Sequence, residues 1–302
     1  MRVAFVTTID QDAIHDDVDL PLQIVAFADS SIDLVQAPWE DRTIDWDSFD
    51  LVVVRSPWNY VDRLDEFRQW LDARRHMRTI HNPVSLIEWN IDKCYLADLA
   101  VHGVPVVPTA FVQSIDEFQS AIASAGSKEI VVKPSVSAGS RLTGRFAFDD
   151  LAAEELAKRI LSEGVTVMVQ PFASRIDVQG EIGTVLFDGV VSHSFRKAAL
   201  LAEGGALVGG EYREEITAIV APDDVLAVVT IASTVATKIA RERGWLAVNE
   251  ELLYGRYDVV RLDDGSPALL EAELFEPCFF LPTDSESPRR FVDAGIRRLS
   301  NS

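Results

Sequence analysis

Basic residues are in short supply. The 302-residue chain carries 28 Lys and Arg against 48 Asp and Glu, a formal charge of −20 at pH 7, so bulk attraction to nucleic acid or to an anionic membrane is excluded as a means of binding. Any anion must be held by a local basic site. Cysteine is scarcer still: Cys94 and Cys278 stand alone, far apart and outside any CxxC, which removes a disulfide framework and a Cys-based zinc site. Long hydrophobic runs are missing too. No window approaches the roughly 20 apolar residues of a membrane span, and the apolar run in "MRVAFVTTID" is too short for a signal-peptide core. A cytoplasmic protein without a membrane partner is expected.

Several catalytic signatures are absent as well. The five histidines form no HExxH, and no serine sits in GxSxG, which counts against zinc-peptidase and hydrolase-triad chemistry. Neither GxxxxGK[ST] nor GxGxxG occurs.

What is present is the composition of a globular protein, 48% hydrophobic and 25% charged, long enough for two or three lobes. "RVAFVTT" and "FDLVVVRSPWNY" read as buried strands ending in polar loops, and "LDEFRQWLDARRH" reads as an amphipathic helix. The first lobe is therefore an α/β layer, whose ligands lie beyond the carboxyl ends of its strands. "NIDKCYLADLAVHG" has helical spacing up to Gly103. "EIVVKP" and "TVMVQPF" read as strands, and "DDVLAVVTIASTVATKIARERG" as one long helix ending at Gly244. Two Asp-Gly pairs, Asp188-Gly189 and Asp264-Gly265, sit between apolar strands and suit two-residue turns. An α/β lobe followed by α+β lobes of antiparallel sheet and helix is the predicted class.

The stretch "LLEAELFEPCFF" sets Glu271, Glu273 and Glu276 among leucines and phenylalanines, where unpaired carboxylates are costly. A two-residue turn at Asp264-Gly265 places Asp258 opposite Glu271 and Arg256 opposite Glu273. Either Asp258, Glu271 and Glu273 converge on a cation such as Mg²⁺, or Arg256 and Glu273 form a cross-strand ion pair and the other two are solvated. The turn at Asp188-Gly189, counted the same way, puts Glu181 opposite Arg196. They could form a structural salt bridge, or Glu181 could take hydroxyls while Arg196 or Lys197 reaches phosphates. Lys133, ending "IVVKP", needs an anion if it is buried, and otherwise snorkels to water. Ser137, Gly139 and Ser140 belong to a Ser/Gly-rich stretch, "SVSAGSRLTGRF", that is either a phosphate cover or an ordinary turn. The aromatic pair in "RSPWNY" could stack on a ligand or fill a core.

Taken in order, "DKCYLADLAVHGVPVVPT", "IVVKPSVSAGS", "VMVQPF", "GEIGTVLFDGVV" and "YDVVRLDDGSPALLEAEL" resemble the ATP-grasp superfamily of carboxylate ligases over roughly residues 84 to 280. The resemblance implies a Rossmann-like layer over 1–83, a central lid subdomain over 84–168 and a C-terminal antiparallel-sheet domain over 169–302. It implies ATP held by Lys93, Lys133, Ser137, Gly139, Ser140 and Glu181, with Gln170, Pro171 and Phe172 at the adenine. Mg²⁺ would sit on Asp258, Glu271 and Glu273, although the last of these positions is usually Asn in the superfamily. "RSPWNY" and "ELFEP" look like the subgroup of D-cycloserine-forming cyclo-ligases, which implies phosphorylation of the carboxylate of O-ureido-D-serine and ring closure with loss of CO2 and ammonia. Arg196 and Lys197 would then act on phosphates, Arg55, Ser56 and Tyr60 would bind a small amino-acid substrate, and the enzyme would be a homo-oligomer, dimer or tetramer. The alternatives are an intermolecular amino-acid or peptide ligase and a non-catalytic nucleotide-binding regulator.

Overall fold

The computed structural model describes residues 1–300 apart from 16, 140, 199–205 and 208–214, and gives only the backbone of 206–207. Its first layer is a parallel sheet of β1 (Arg2–Thr7), β2 (Asp33–Pro38), β3 (Leu51–Ser56) and β4 (Ile80–His81), ordered β2-β1-β3-β4. Every residue of β3 is buried, as a strand covered on both faces requires. The short α1 (Gln11–Ile14) follows β1, and α2 (Leu20–Asp29) and α3 (Leu64–Asp72) flank the sheet. α3 buries Phe67, Trp70 and Leu71 against one face.

The chain then passes through α4 (Val84–Ile91) and α5 (Tyr95–Val101). The single helix expected across "NIDKCYLADLAVHG" is instead two, broken at Asp92-Lys93-Cys94, where Asp92 is extended at ψ 114° and caps the N–H of Cys94 through its own side chain at 2.9 Å. The break puts Lys93 in the connection, not on a helical surface.

A second sheet holds β5 (Ala110–Val112), β6 (Glu129–Pro134), β7 (Thr143–Ala147) and β8 (Val167–Pro171), and α6 (Ile115–Ala125) and α7 (Leu151–Ser162) cover one side. Both helices start on side-chain caps: Ser114 accepts from the N–H of Glu117, and Asp150 from that of Ala152. After α8 (Ile176–Gln179), the third sheet contains β9 (Glu181–Phe187), β10 (Val190–Lys197), β12 (Ile216–Ile219), β13 (Tyr254–Arg261) and β14 (Pro267–Glu273), while β11 (Ala206–Leu207) joins the second sheet beside β7. The long helix is α9 (Asp223–Glu242), followed by Gly244 at φ +71°. It buries Val225, Val228, Val229 and Ala232 against β13, β14 and the apolar faces of α4 and α5. The last helix, α10 (Ser287–Ser300), returns to the first sheet, where Phe291 meets Phe5 and Phe27.

The two hairpins of the third sheet set the register of the site. The Asp264-Gly265 loop has three residues, with Leu262 accepting from the N–H of Gly265 at 2.8 Å and donating to Ser266 at 2.9 Å. A bulge at Leu270 then restores the count, so that Asp258 faces Glu271 and Arg256 faces Glu273 as expected. The Asp188-Gly189 turn does have two residues, both at positive φ. Here a bulge at Ser192 shifts the register by one, and Lys197, not Arg196, lies opposite Glu181. Arg196 points to solvent. Its expected role on phosphates is corrected on this ground.

Candidate active site

A cavity of about 600 Å³ opens between the second and third sheets and reaches the N-terminal layer at Trp58 and Tyr60. Lys93, Lys133, Glu181, Lys197, Arg256, Glu271, Glu273 and Glu276 all border it. Lys93 is held at the helix break by its own N–H, which donates to the Ser135 carbonyl at 2.8 Å. Its ammonium donates to the Ser137 carbonyl at 2.9 Å and lies 3.1 Å from Glu271. Lys133 ends β6, buried. Burial, together with the like charges of Lys93 and Lys197, pushes its pKa below the ordinary value against the pull of Glu271.

Across the third sheet runs a chain of ion pairs. Lys197 pairs with Glu181 and also with Asp258 at 2.9 Å. Asp258 in turn accepts from Arg256 at 2.8 to 3.1 Å, and Arg256 reaches Glu273 and the Cys278 carbonyl. Asp258 can lie this deep because β9 opposes it with Gly183. A Cβ there would come within 3.0 Å of the Asp258 carboxylate and 2.5 Å of the Phe195 ring.

These carboxylates titrate apart. Burial opposes ionisation of Asp258, but Arg256 and Lys197 overcome it and hold the group well below the usual carboxylate range. Burial is outweighed in the same way at Glu271, by Lys93 and Lys133. At Glu181 and Glu273 burial prevails over Lys197 and Arg256 respectively and lifts each to about 7. The cluster is thus short of positive charge on the side of Glu181 and Glu273, and short of negative charge around Lys133. Such an arrangement suits a ligand that carries phosphates together with a cation.

Among the described residues no three His, Cys, Asp or Glu side chains gather closely enough to cage an ion. The donors at the cavity wall are nevertheless carboxylate oxygens. They fit Mg²⁺, which takes one or two protein carboxylates and completes its shell with phosphate oxygens and water. Glu271 and Glu273 are placed for this. Asp258, expected as the third ligand, is buried behind them as the counter-charge of Arg256 and Lys197.

The remaining expected residues divide. Ser137, Gly139, Gln170, Pro171 and Phe172 border the cavity, and Ser140 lies outside the described residues. Gln170 spends its amide N–H on Thr109 at 2.8 Å. Phe172 carries the guanidinium of Arg145 over its ring at 3.6 Å, and Arg145 is itself fixed by Glu129 and Asp177. Tyr60 borders the cavity and donates its hydroxyl to Glu276 at 3.0 Å.

Arg55 and Ser56 do not reach it. Arg55 is fully buried, bonded to the Pro277 carbonyl at 2.8 Å and to Asp19 at 3.3 Å, and stacked on Phe279 at 3.8 Å. Ser56 is buried, and its hydroxyl has no hydrogen-bond partner among the described residues. Both expected substrate contacts are therefore structural groups beneath the site.

Sequence reading also missed the residues that hold β14. Asn90 donates to the Ala272 carbonyl at 2.8 Å and accepts from the N–H of Leu274 at 2.7 Å, and the Tyr95 hydroxyl accepts from the N–H of Ala272 at 2.8 Å. These bonds replace a neighbouring strand along the sheet edge and fix the face that presents Glu271 and Glu273. An asparagine on an otherwise apolar helical face, as in "SLIEWNI", is the one signal the sequence offered.

Residues 3–82 match the family described as D-cycloserine synthetase DcsG, N-terminal domain. Over 292 residues, 94% of each protein, the chain is 35% identical to the cycloserine biosynthesis protein DcsG of Streptomyces lavendulae. The crystal structure of D-cycloserine synthetase DcsG superposes with a TM-score of 0.88 at 34% identity, covering 99% of this chain and 100% of that one. D-alanine–D-alanine ligase of Bacillus anthracis shares the fold at a TM-score of 0.68 and 14% identity, over 100% and 99% of the two chains. The ATP-grasp ligase PsnB, solved with a minimal precursor, Mg and ADP, shares it at 0.63 and 16%, over 99% and 98%.

Proposed function

Since the chain belongs to the D-cycloserine synthetase family of ATP-grasp ligases, and is on that ground an ATP-dependent ligase, we propose that it closes O-ureido-D-serine to D-cycloserine. The observation that carries this reading is likeness over 94% of each protein to a cycloserine biosynthesis protein, joined to one cavity that brings Lys93 and Lys133 together with Tyr60 and Glu276.

A carboxylate is a poor electrophile. Transfer of the γ-phosphoryl group of ATP to it gives an acylphosphate and ADP, and the ureido nitrogen of the same molecule then attacks the acyl carbon and expels phosphate. Hydrolysis of the carbamoyl group left on the ring nitrogen consumes one water and releases CO2 and ammonia. The protein's part is to position and to neutralise charge. Lys93 and Lys133 take phosphate oxygens, with Lys197 and Arg256 facing them across the cavity. Phe172, stiffened by Arg145, packs on the base. Mg²⁺, held by Glu271 and Glu273, supplies further neutralisation of the phosphates when bound. Ser137 and Gly139, which border the cavity, would cover the phosphates and help keep water from the acylphosphate.

Purified protein given ATP, Mg²⁺ and O-ureido-D-serine is expected to release ADP and D-cycloserine in equal amounts, read by a coupled ADP assay and mass spectrometry in one tube. ADP release that needs two separate substrates, with no ring product, rejects the cyclo-ligase in favour of an intermolecular ligase.

A further inference from the structure

Glu276 takes no part in the phosphate chemistry outlined above. It follows β14 at the inner end of the cavity, in the left-handed region at φ +54°, which a non-glycine residue adopts only when its surroundings hold it there. They do. Its N–H donates to the Val54 carbonyl at 3.2 Å, and its carbonyl accepts from the indole of Trp58 at 3.0 Å. The side chain is thereby aimed into the cavity, with one oxygen fixed by the hydroxyl of Tyr60 at 3.0 Å.

The other glutamates of the cavity each have a basic partner, Lys197 for Glu181, Lys93 for Glu271 and Arg256 for Glu273, and Asp12, which also borders it, is exposed. Glu276 has no ion pair among the described residues, and its one bond is to a neutral phenol. A half-buried carboxylate among Trp58, Phe275 and Phe280 is costly unless a cation meets it. The nearest protein cations are already committed, Lys93 to Glu271 and the Ser137 carbonyl, and Arg256 to Asp258, Glu273 and the Cys278 carbonyl.

We propose that Glu276 is a specificity-determining residue that binds the α-ammonium of the amino-acid substrate. This rests on the ligase reading above and deepens it. The α-amine does not react in the ring closure. A fixed ammonium would orient the carboxylate toward the phosphoryl donor and leave the side-chain nitrogen free to fold back. It would also distinguish amino acids from plain carboxylic acids.

The test compares wild type, Glu276→Gln and Glu276→Asp with O-ureido-D-serine and with its des-amino analogue, 3-(ureidooxy)propanoic acid, and reads KM for each substrate and for ATP. Wild type is expected to favour the amine-bearing substrate. Glu276→Gln keeps the bond to Tyr60, and is expected to raise the amino-acid KM roughly 10- to 100-fold. Its KM for ATP should move less than about threefold, and its preference over the des-amino analogue should vanish. Glu276→Asp keeps the charge one methylene short and should retain part of that preference, which also serves if the glutamine variant folds poorly. An undiminished amine preference in Glu276→Gln overturns the assignment and leaves the cyclo-ligase intact. If wild type makes no D-cycloserine but releases ADP with another amino acid, the substrate reading fails, and the same comparison is made on that amino acid and its des-amino form. ADP release only with carboxylates that lack an amine overturns both.

Discussion

Two groups of buried charge lie on either side of the segment from Glu273 to Phe280, and they are built on opposite principles. Beneath it, Arg55 and Asp19 are both sealed from solvent, at 0% side-chain exposure each. Their bonding capacity is closed off by the Pro277 carbonyl and by the N–H groups of Phe279 and Leu281, which donate to Asp19. Above it, Lys197 is shared between Glu181 and Asp258 and Arg256 between Asp258 and Glu273, while among the described residues Lys133 has no side-chain hydrogen bond and Glu276 has only a phenol. A buried pair that satisfies itself is part of the scaffold. A buried cluster that cannot satisfy itself is arranged for something that arrives from outside.

The contrast is broken most severely by substitutions that separate activity from stability. Glu271→Gln is expected to lower ADP release by about 10²- to 10³-fold, with little change in the melting temperature. Lys197→Ala should fall in the same range, while Arg196→Ala, one residue away but outside the cavity, should stay within about threefold of wild type. Parallel rate and melting measurements decide this; equal losses for both residues would restore the register without the bulge. Arg55→Ala is expected to cost about 3–5 kcal/mol in denaturant unfolding, because it strands Asp19 in a dry interior. Turnover per folded molecule should be unchanged.

A smaller effect concerns pH. Burial pushes His81 down to about 4, whereas an unfolded histidine titrates near 6.5. The unfolded chain therefore takes up the proton first as pH falls. Stability is fully present above about 6.5 and lost progressively down to about 4, by an amount on the order of 3 kcal/mol. His81→Gln should flatten that part of an unfolding-against-pH curve, and an unaltered slope would assign the loss to other groups. The smallest effect should come from Ser56→Ala, which removes a buried hydroxyl that has no partner among the described residues and is expected to be neutral or stabilising by up to about 1 kcal/mol.

The sequence carried most of the architecture, since apolar strands, Asp-Gly turns and the long helix α9 are local signals. The site was legible only where local rules survived packing. The pairing of Asp258 with Glu271 came out right although the loop has three residues where two were counted, because the bulge at Leu270 cancels the difference. At the other hairpin the turn was read correctly, yet the bulge at Ser192 has no compensating partner and the face was assigned to Arg196 in place of Lys197. Bulges answer to sheet twist and to what packs on the sheet, which no dipeptide reveals. Arg55 was misplaced for a related reason. An arginine at the end of an apolar strand looks like a ligand contact, and only the distant Asp19 and Phe279 make it a core residue.

The return of α10 to the first sheet has a consequence for how the chain is made. Phe291, which packs against Phe5 and Phe27 with ring centroids 6.1 and 6.2 Å away, leaves the ribosome long after both. At about 5–20 residues per second the first layer waits on the order of tens of seconds for its final cover. During synthesis, the first sheet stands with one apolar face open until a helix encoded far downstream arrives to cover it.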